Sequence, residues 1–274
     1  MSSGEICEIM KQEILSFYPQ VQVVSVPVAD GGEGSVDSFL TAMGGKKVTV
    51  QVKGPYFEDM EGFYGVLPDG TAVIEMAAAA GLPLVGEDKR ADQTTTYGVG
   101  QLMAHAAQSG CKKMIVGLGG SATNDGGTGA AAALGVCFRD EKGESFIPVG
   151  GTLDRIASID ISGLQPQLAG IELITMCDID NPLCGENGAS AVFGPQKGAD
   201  PQMVQRLDQN LRHLAEIVQR DLGKQILHLP GSGAAGGMGG GMVAFFGSQL
   251  KMGIETVLDT VHFDQLAKDA DLVF

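Results

Sequence analysis

An apolar strand candidate, Lys112-Lys-Met-Ile-Val116, runs directly into Gly117-Leu-Gly-Gly-Ser-Ala-Thr-Asn-Asp-Gly-Gly127, and this junction constrains the fold more than any other part of the chain. Five glycines, two hydroxyls, an amide and a carboxylate share one loop, and the small residues of Gly127 to Gly135 read as the helix that follows. Glycines let backbone N–H groups converge where a Cβ would clash, and a helix N-terminus adds partial positive charge. The element therefore suits a phosphate or a carboxylate. Gly119 and Gly120 would admit the anion, Ser121, Thr123 and Asn124 would add side-chain hydrogen bonds, and Asp125 would hold a metal or orient a substrate hydroxyl.

Two other readings fit the same residues. Gly117, Gly119 and Ala122 match the dinucleotide pattern G-x-G-x-x-G/A, with Asp140 near the place of a ribose-binding acid, which would make the chain a nicotinamide-dependent oxidoreductase. Against it, Asn124 to Gly127 delays the helix by a turn. The loop can also be an ordinary glycine-rich turn with no ligand.

Charge narrows the partners. With 18 Lys plus Arg against 33 Asp plus Glu, the net charge of −15 disfavours nucleic acid and anionic membrane surfaces, so an anionic ligand needs local donors. No apolar run is long enough for a transmembrane helix, and a cytoplasmic location is expected. The cysteines Cys7, Cys111, Cys137, Cys177 and Cys184 form no C-x-x-C pair and read as reduced thiols; the scattered histidines predict neither a zinc site nor a Ser-His triad.

Along the chain, Glu5 to Leu15 predicts a helix and Val21 to Val28 a strand, followed by Ala29-Asp-Gly-Gly-Glu-Gly34 and a helix from Val36 to Met43. This order is the grammar of an α/β layer, in which ligands collect beyond the carboxyl ends of strands, where Asp30 and Glu33 sit. From Lys46, short strands over 47–53, 62–67 and 71–76 predict a change of sheet and a second domain beginning near Gly54-Pro55. A helix spans Gly98 to Gln108, and the strand 171–176 ends at Cys177-Asp178. Pro201 to Leu222 is the best-marked helix, with Asp200 as cap, Pro201 in the first turn and Gly223 as stop. The cluster Gly231 to Gly241 fits either close approach to a phosphate, at Gly236 and Gly237, or tight helix packing.

Taken together, Pro27 to Gly34, Ile74 to Ala77, Gly117 to Gly127, Cys177 to Leu183, Phe193 to Ala199 and Gly233 to Gly239 resemble, in order and spacing, the bacterial type I glycerate kinases. The resemblance implies two dissimilar α/β domains with an active site in the cleft between them. One would be a flavodoxin- or Rossmann-like layer, incomplete here, from 1–54 and 254–274; the other would be 55–253. It also implies transfer of phosphate from ATP to D-glycerate, giving 2-phosphoglycerate in organic acid metabolism, with Mg2+ as the metal.

Phosphoryl transfer needs positioning and charge stabilisation more than covalent chemistry. On that footing Lys197 would neutralise developing charge, and Asp178 and Asp30 would bind metal or orient the hydroxyl, Asp178 being the metal candidate. Glu33, Glu75 and Asn181 are second choices. Family members begin with a further strand and lysine-bearing loop and continue past Phe274, where this chain would stop at a strand end. A poorly active, self-associating remnant that binds a ligand or partner is therefore the alternative expectation, and a homo-oligomer is left open.

Overall fold

Strand β4 (Lys113–Gly117) shows why the central sheet is covered on both sides: Met114, Ile115 and Val116 are all fully buried. Successive strand side chains point to opposite faces, so burial of all three requires a layer on each. Met114 and Val116 pack with Val99, Leu102 and Met103 of the Tyr97–Gln108 helix. Ile115 packs on the other side with Val36 and Phe39 of the Ser35–Met43 helix and Val257 of the Gly253–Thr260 helix. Each such side chain contributes about 1.5–3 kcal/mol by leaving water.

The structure is a computed structural model that describes residues 3–28 and 31–274. The other strands are β1 (Lys46–Lys53), β2 (Asp59–Val66), β3 (Ala72–Glu75), β5 (Cys137–Arg139), β6 (Ser145–Phe146), β7 (Ser158–Asp160), β8 (Glu172–Met176) and β9 (Gln249–Lys251). The main sheet has the order β1-β2-β3-β4-β8-β9. Its first three strands are antiparallel, and β3, β4, β8 and β9 run parallel. Parallel strands place their carboxyl ends along one edge, so the loops after Glu75, Gly117 and Met176 emerge side by side. The fold is thus α/β with a mostly parallel central sheet.

A smaller antiparallel sheet, β6-β5-β7, packs with the Pro201–Leu222 helix. That helix forms as its sequence dictates: Asp200 accepts from Met203 N at 2.7 Å, and Gly223 ends it at φ 68°. Leu207, Leu211, Leu214 and Val218 form its buried stripe.

Two expectations fail here. Residues 21–28 form no strand: Val21, Val24 and Val28 are exposed, because β-branched composition favours a strand only where a ladder partner exists. Residues 271–274 likewise lie outside any strand. Strands β1 to β3 continue into the sheet that holds β4.

Candidate active site

The loop after β4 is anchored by backbone hydrogen bonds to two neighbouring segments. Gly119 N donates to Gly31 O at 2.9 Å, Leu82 N to Gly120 O at 2.8 Å, and Ala122 N to Ala80 O at 2.8 Å. A Cβ on Gly119 would come within 2.5 Å of Gly32 Cα, so that glycine serves the contact between two loops. Gly120 has φ +73°, and a Cβ there would lie 3.4 Å from Ala77 Cβ and 3.7 Å from Glu33 Cγ. The exposed Glu33 thus borders the open side of the loop.

Lys197 enters from the Pro195–Lys197 turn. Its ammonium is almost wholly buried and donates to Ser121 Oγ at 2.7 Å and to Thr123 O at 2.6 Å. Burial lowers its pKa from 10.5 to about 7, opposed by the nearby negative charge of Asp125. Thr123 Oγ1 is buried and unbonded among the described residues. Asn124 forms a reciprocal pair with Ser190, Nδ2 donating at 3.0 Å and Oδ1 accepting at 3.1 Å.

Asp125 is fully buried and accepts from Thr96 N and Thr96 Oγ1 at 2.8 Å, Gly127 N at 3.0 Å and Gly129 N at 3.2 Å. Its carboxylate therefore serves the protein's own helix ends. Burial raises its pKa, and the Thr96, Gly127 and Gly129 hydrogen bonds oppose the rise.

The remaining candidates occupy neighbouring strand ends. Glu75, closing β3, is buried and accepts from Val36 N at 3.1 Å, capping the Ser35–Met43 helix; desolvation raises its pKa and the Val36 bond opposes that. Asp178, just beyond β8, is exposed, and its Oδ1 accepts from Gly253 N at 2.6 Å. Asn181 Nδ2 donates to Asn187 O at 2.8 Å. Asp30 lies outside the described residues.

The second glycine cluster is used for packing. A Cβ on Gly236 would strike the Thr123 carbonyl, and one on Gly237 would lie 2.9 Å from side-chain atoms of Leu183 and Leu211. Gly126 N donates to Gly236 O at 3.0 Å, so this cluster supports the β4 loop from behind.

The structure thus unites Ser121, Thr123, Asn124, Asp125, Lys197, Gly236 and Gly237 around one loop, with Glu33 and Gly120 on its open side and Glu75 and Asp178 at adjoining strand ends. Sequence reasoning missed Thr96 and Ser190, which hold Asp125 and Asn124. The run Thr94-Thr-Thr96 before a helix was a capping signal for the first, whereas Ser190 carried no local one. The dinucleotide pattern lacks its setting: the helix begins only at Thr128, and β5 belongs to the antiparallel sheet. Asp140 there accepts from Lys142 N and Glu144 N in a turn.

Fold and loops together define a mixed α/β protein that gathers polar groups beyond the carboxyl ends of parallel strands, where this class binds small ligands. No described helix is long and apolar enough to cross a membrane. The chain belongs to the glycerate kinase family, whose model matches residues 1–274. It is 46% identical to the glycerate kinase of Bacillus subtilis, spanning 100% of this chain and 72% of the relative. It is 44% identical to the glycerate 2-kinase of Escherichia coli over 100% of this chain and 72% of that one. A crystal structure from Salmonella typhimurium LT2, assigned as glycerate kinase 2, superposes with a TM-score of 0.95 at 45% identity, covering 100% of this chain and 74% of its own.

Proposed function

We propose that this chain transfers the γ-phosphoryl group of ATP to the 2-hydroxyl of D-glycerate, releasing ADP and 2-phosphoglycerate. Similarity to glycerate kinases over the whole of this chain supports the substrates, and the name of the Escherichia coli relative supports the 2-position. The observation that carries the reading to particular residues is the buried Lys197 ammonium, held by Ser121 Oγ and the Thr123 carbonyl in the loop beyond β4. A cation fixed beyond the carboxyl end of a parallel strand suits an anionic ligand.

The site's residues divide the work. Lys197, held by Ser121 and Thr123, offsets negative charge that develops on the transferred group. Its lowered pKa ties its charge to occupancy, because an anion nearby favours the protonated form. Asp178 fits Mg2+: Oδ1 is held by Gly253 N, and Oδ2 is uncommitted among the described residues. Among those residues no group of three or more His, Cys, Asp or Glu could hold a metal. Mg2+ in kinase sites commonly uses only one or two carboxylates, with substrate phosphates and water completing its shell. When bound, it would neutralise phosphate charge. Glu33 lies beside the open face of Gly120, where it can meet the hydroxyls of glycerate. For Asp30, orientation of the reacting hydroxyl rests on the sequence alone. The five free cysteines support a cytoplasmic setting.

The test is an assay of ATP, Mg2+ and D-glycerate with this chain, the product position being read by 31P and 13C NMR. ADP release that depends on glycerate, with phosphate on the 2-oxygen, is expected. No glycerate-dependent release would reject the reaction, and phosphate on the 3-oxygen would reject the regiochemistry.

A further inference from the structure

The direction of the hydrogen bonds around Asp125 says more about it than its burial does. Ala130 N donates to Thr96 Oγ1 at 2.9 Å, which occupies one of the two lone pairs of that hydroxyl. Its proton is donated to Asp125 Oδ2, 2.8 Å away. The other groups on the carboxylate, Thr96 N, Gly127 N and Gly129 N, are also donors. Three of the four partners are backbone N–H groups that can only donate, and the ionised carboxylate accepts from all four, which opposes the rise in pKa that burial brings.

The carboxylate reaches across sequence. Thr96 is the N-cap of the Tyr97–Gln108 helix, and Gly127 is the N-cap of the Thr128–Ala133 helix. One side chain thus binds the start of two helices and the end of the loop that contains Ser121 and Thr123. Those two residues supply the acceptors for Lys197, and Thr123 is only two positions from Asp125. Burial lowers the Lys197 pKa, and the negative charge of Asp125 opposes that fall. Lys89 meets the same turn at Gly198 through its carbonyl and Cβ, and Asp200 is engaged by Met203 N.

We infer that Asp125, locked by Thr96, is a positioning residue of the site: it sets the shape of the loop from Ser121 to Thr123 whose hydroxyl and carbonyl receive Lys197. It touches no reacting atom. This deepens the reading of the preceding subsection and rests on it for the part played by Lys197 in turnover, although the link from Asp125 to Lys197 can be measured without turnover.

Three variants of the full chain test this: Asp125→Asn, Thr96→Val and Thr96→Ser. The primary measurement is the 15Nζ titration of Lys197 in lysine-labelled protein, assigned by loss of its resonance in Lys197→Met. Removing the neighbouring charge in Asp125→Asn is expected to lower the Lys197 midpoint by about one pH unit or more. Turnover should fall by at least about 100-fold with KM for ATP changed less than about threefold, as for a group that matters in the transition state. Thr96→Val should shift the titration the same way by less, and Thr96→Ser, which keeps the hydroxyl, should restore both properties. A purely structural Asp125 would leave the Lys197 titration in place in the folded variants, and that result would overturn the inference. So would a Thr96→Ser protein as impaired as Thr96→Val. Should Asp125→Asn fail to fold, the two Thr96 variants decide the matter. A wild type that does not phosphorylate glycerate would reject the kinase reading, while the titrations would still decide whether Asp125 governs Lys197.

Discussion

Replacing Lys197 by methionine keeps the length of the side chain and removes its buried charge. Burial lowers the lysine pKa from 10.5 to about 7. At about 1.4 kcal/mol per unit, this drop is a cost of roughly 5 kcal/mol for holding the charged form inside. The sign of the pH dependence follows. Between the two values the unfolded chain binds a proton that the folded chain has released, so stability rises with pH across that window; below pH 7 both states are protonated and this contribution is flat. From pH 7 to about pH 9, wild type should gain about 2 kcal/mol relative to Lys197→Met. The variant also strips Ser121 Oγ and Thr123 O of their donor, at about 1–3 kcal/mol each. That cost moves the offset between the two proteins and leaves the slope alone. The thiol of Cys184, pushed up to about 12 by burial, is present in both proteins and cancels in the difference. Urea unfolding of both at a series of pH values from 6 to about 9.5 gives the comparison. A wild-type minus variant difference that stays level over this range would refute the buried-charge argument. In the kinase assay the same substitution should lower kcat by about 100-fold or more, the scale on which removing one stabilising donor acts.

Three further outcomes are expected. Asp178→Asn should reduce turnover by about 100-fold or more and raise the Mg2+ requirement while the circular dichroism spectrum stays that of wild type; near-normal turnover would remove Asp178 from the site. Gly120→Val places a branched side chain at φ +73° beside Ala77 and Glu33, so calorimetric titration should show a larger loss of ATP binding than for Ser121→Ala, and the reverse order would argue against ligand approach at Gly120. Gly236→Ala drives a methyl into the Thr123 carbonyl and should destabilise the fold by about 2 kcal/mol or more in urea; Gly70→Ala, which also has positive φ but nothing close by, should cost about 1–2 kcal/mol from backbone strain alone, and equal losses would show that the packing contact is soft.

Much of the local structure was legible in the residues themselves. The strand into the β4 loop, the capped and stopped helix Pro201–Leu222, and the helix Tyr97–Gln108 follow from periodicity, capping and glycine placement. These signals act over a few residues, so the sequence carries them whole. The family was legible too, because ordered motifs spread along the chain are specific even where each alone is weak.

Tertiary structure decided what those residues do to one another. Ser121 and Lys197 meet across 76 positions, and nothing near either one announces the other. Asp125 read as a ligand-facing acid, yet folding surrounds it with four donors from Thr96, Gly127 and Gly129. Gly236 and Gly237 could equally have faced a phosphate; the Thr123 carbonyl and the Leu183 and Leu211 side chains take that space. Residues 21–28 had strand composition but no ladder partner. In each case composition gives a residue its chemical capacity, and the partner that uses the capacity comes from a distant segment, because hydrogen bonds and close packing depend on separation in space and not on separation along the chain.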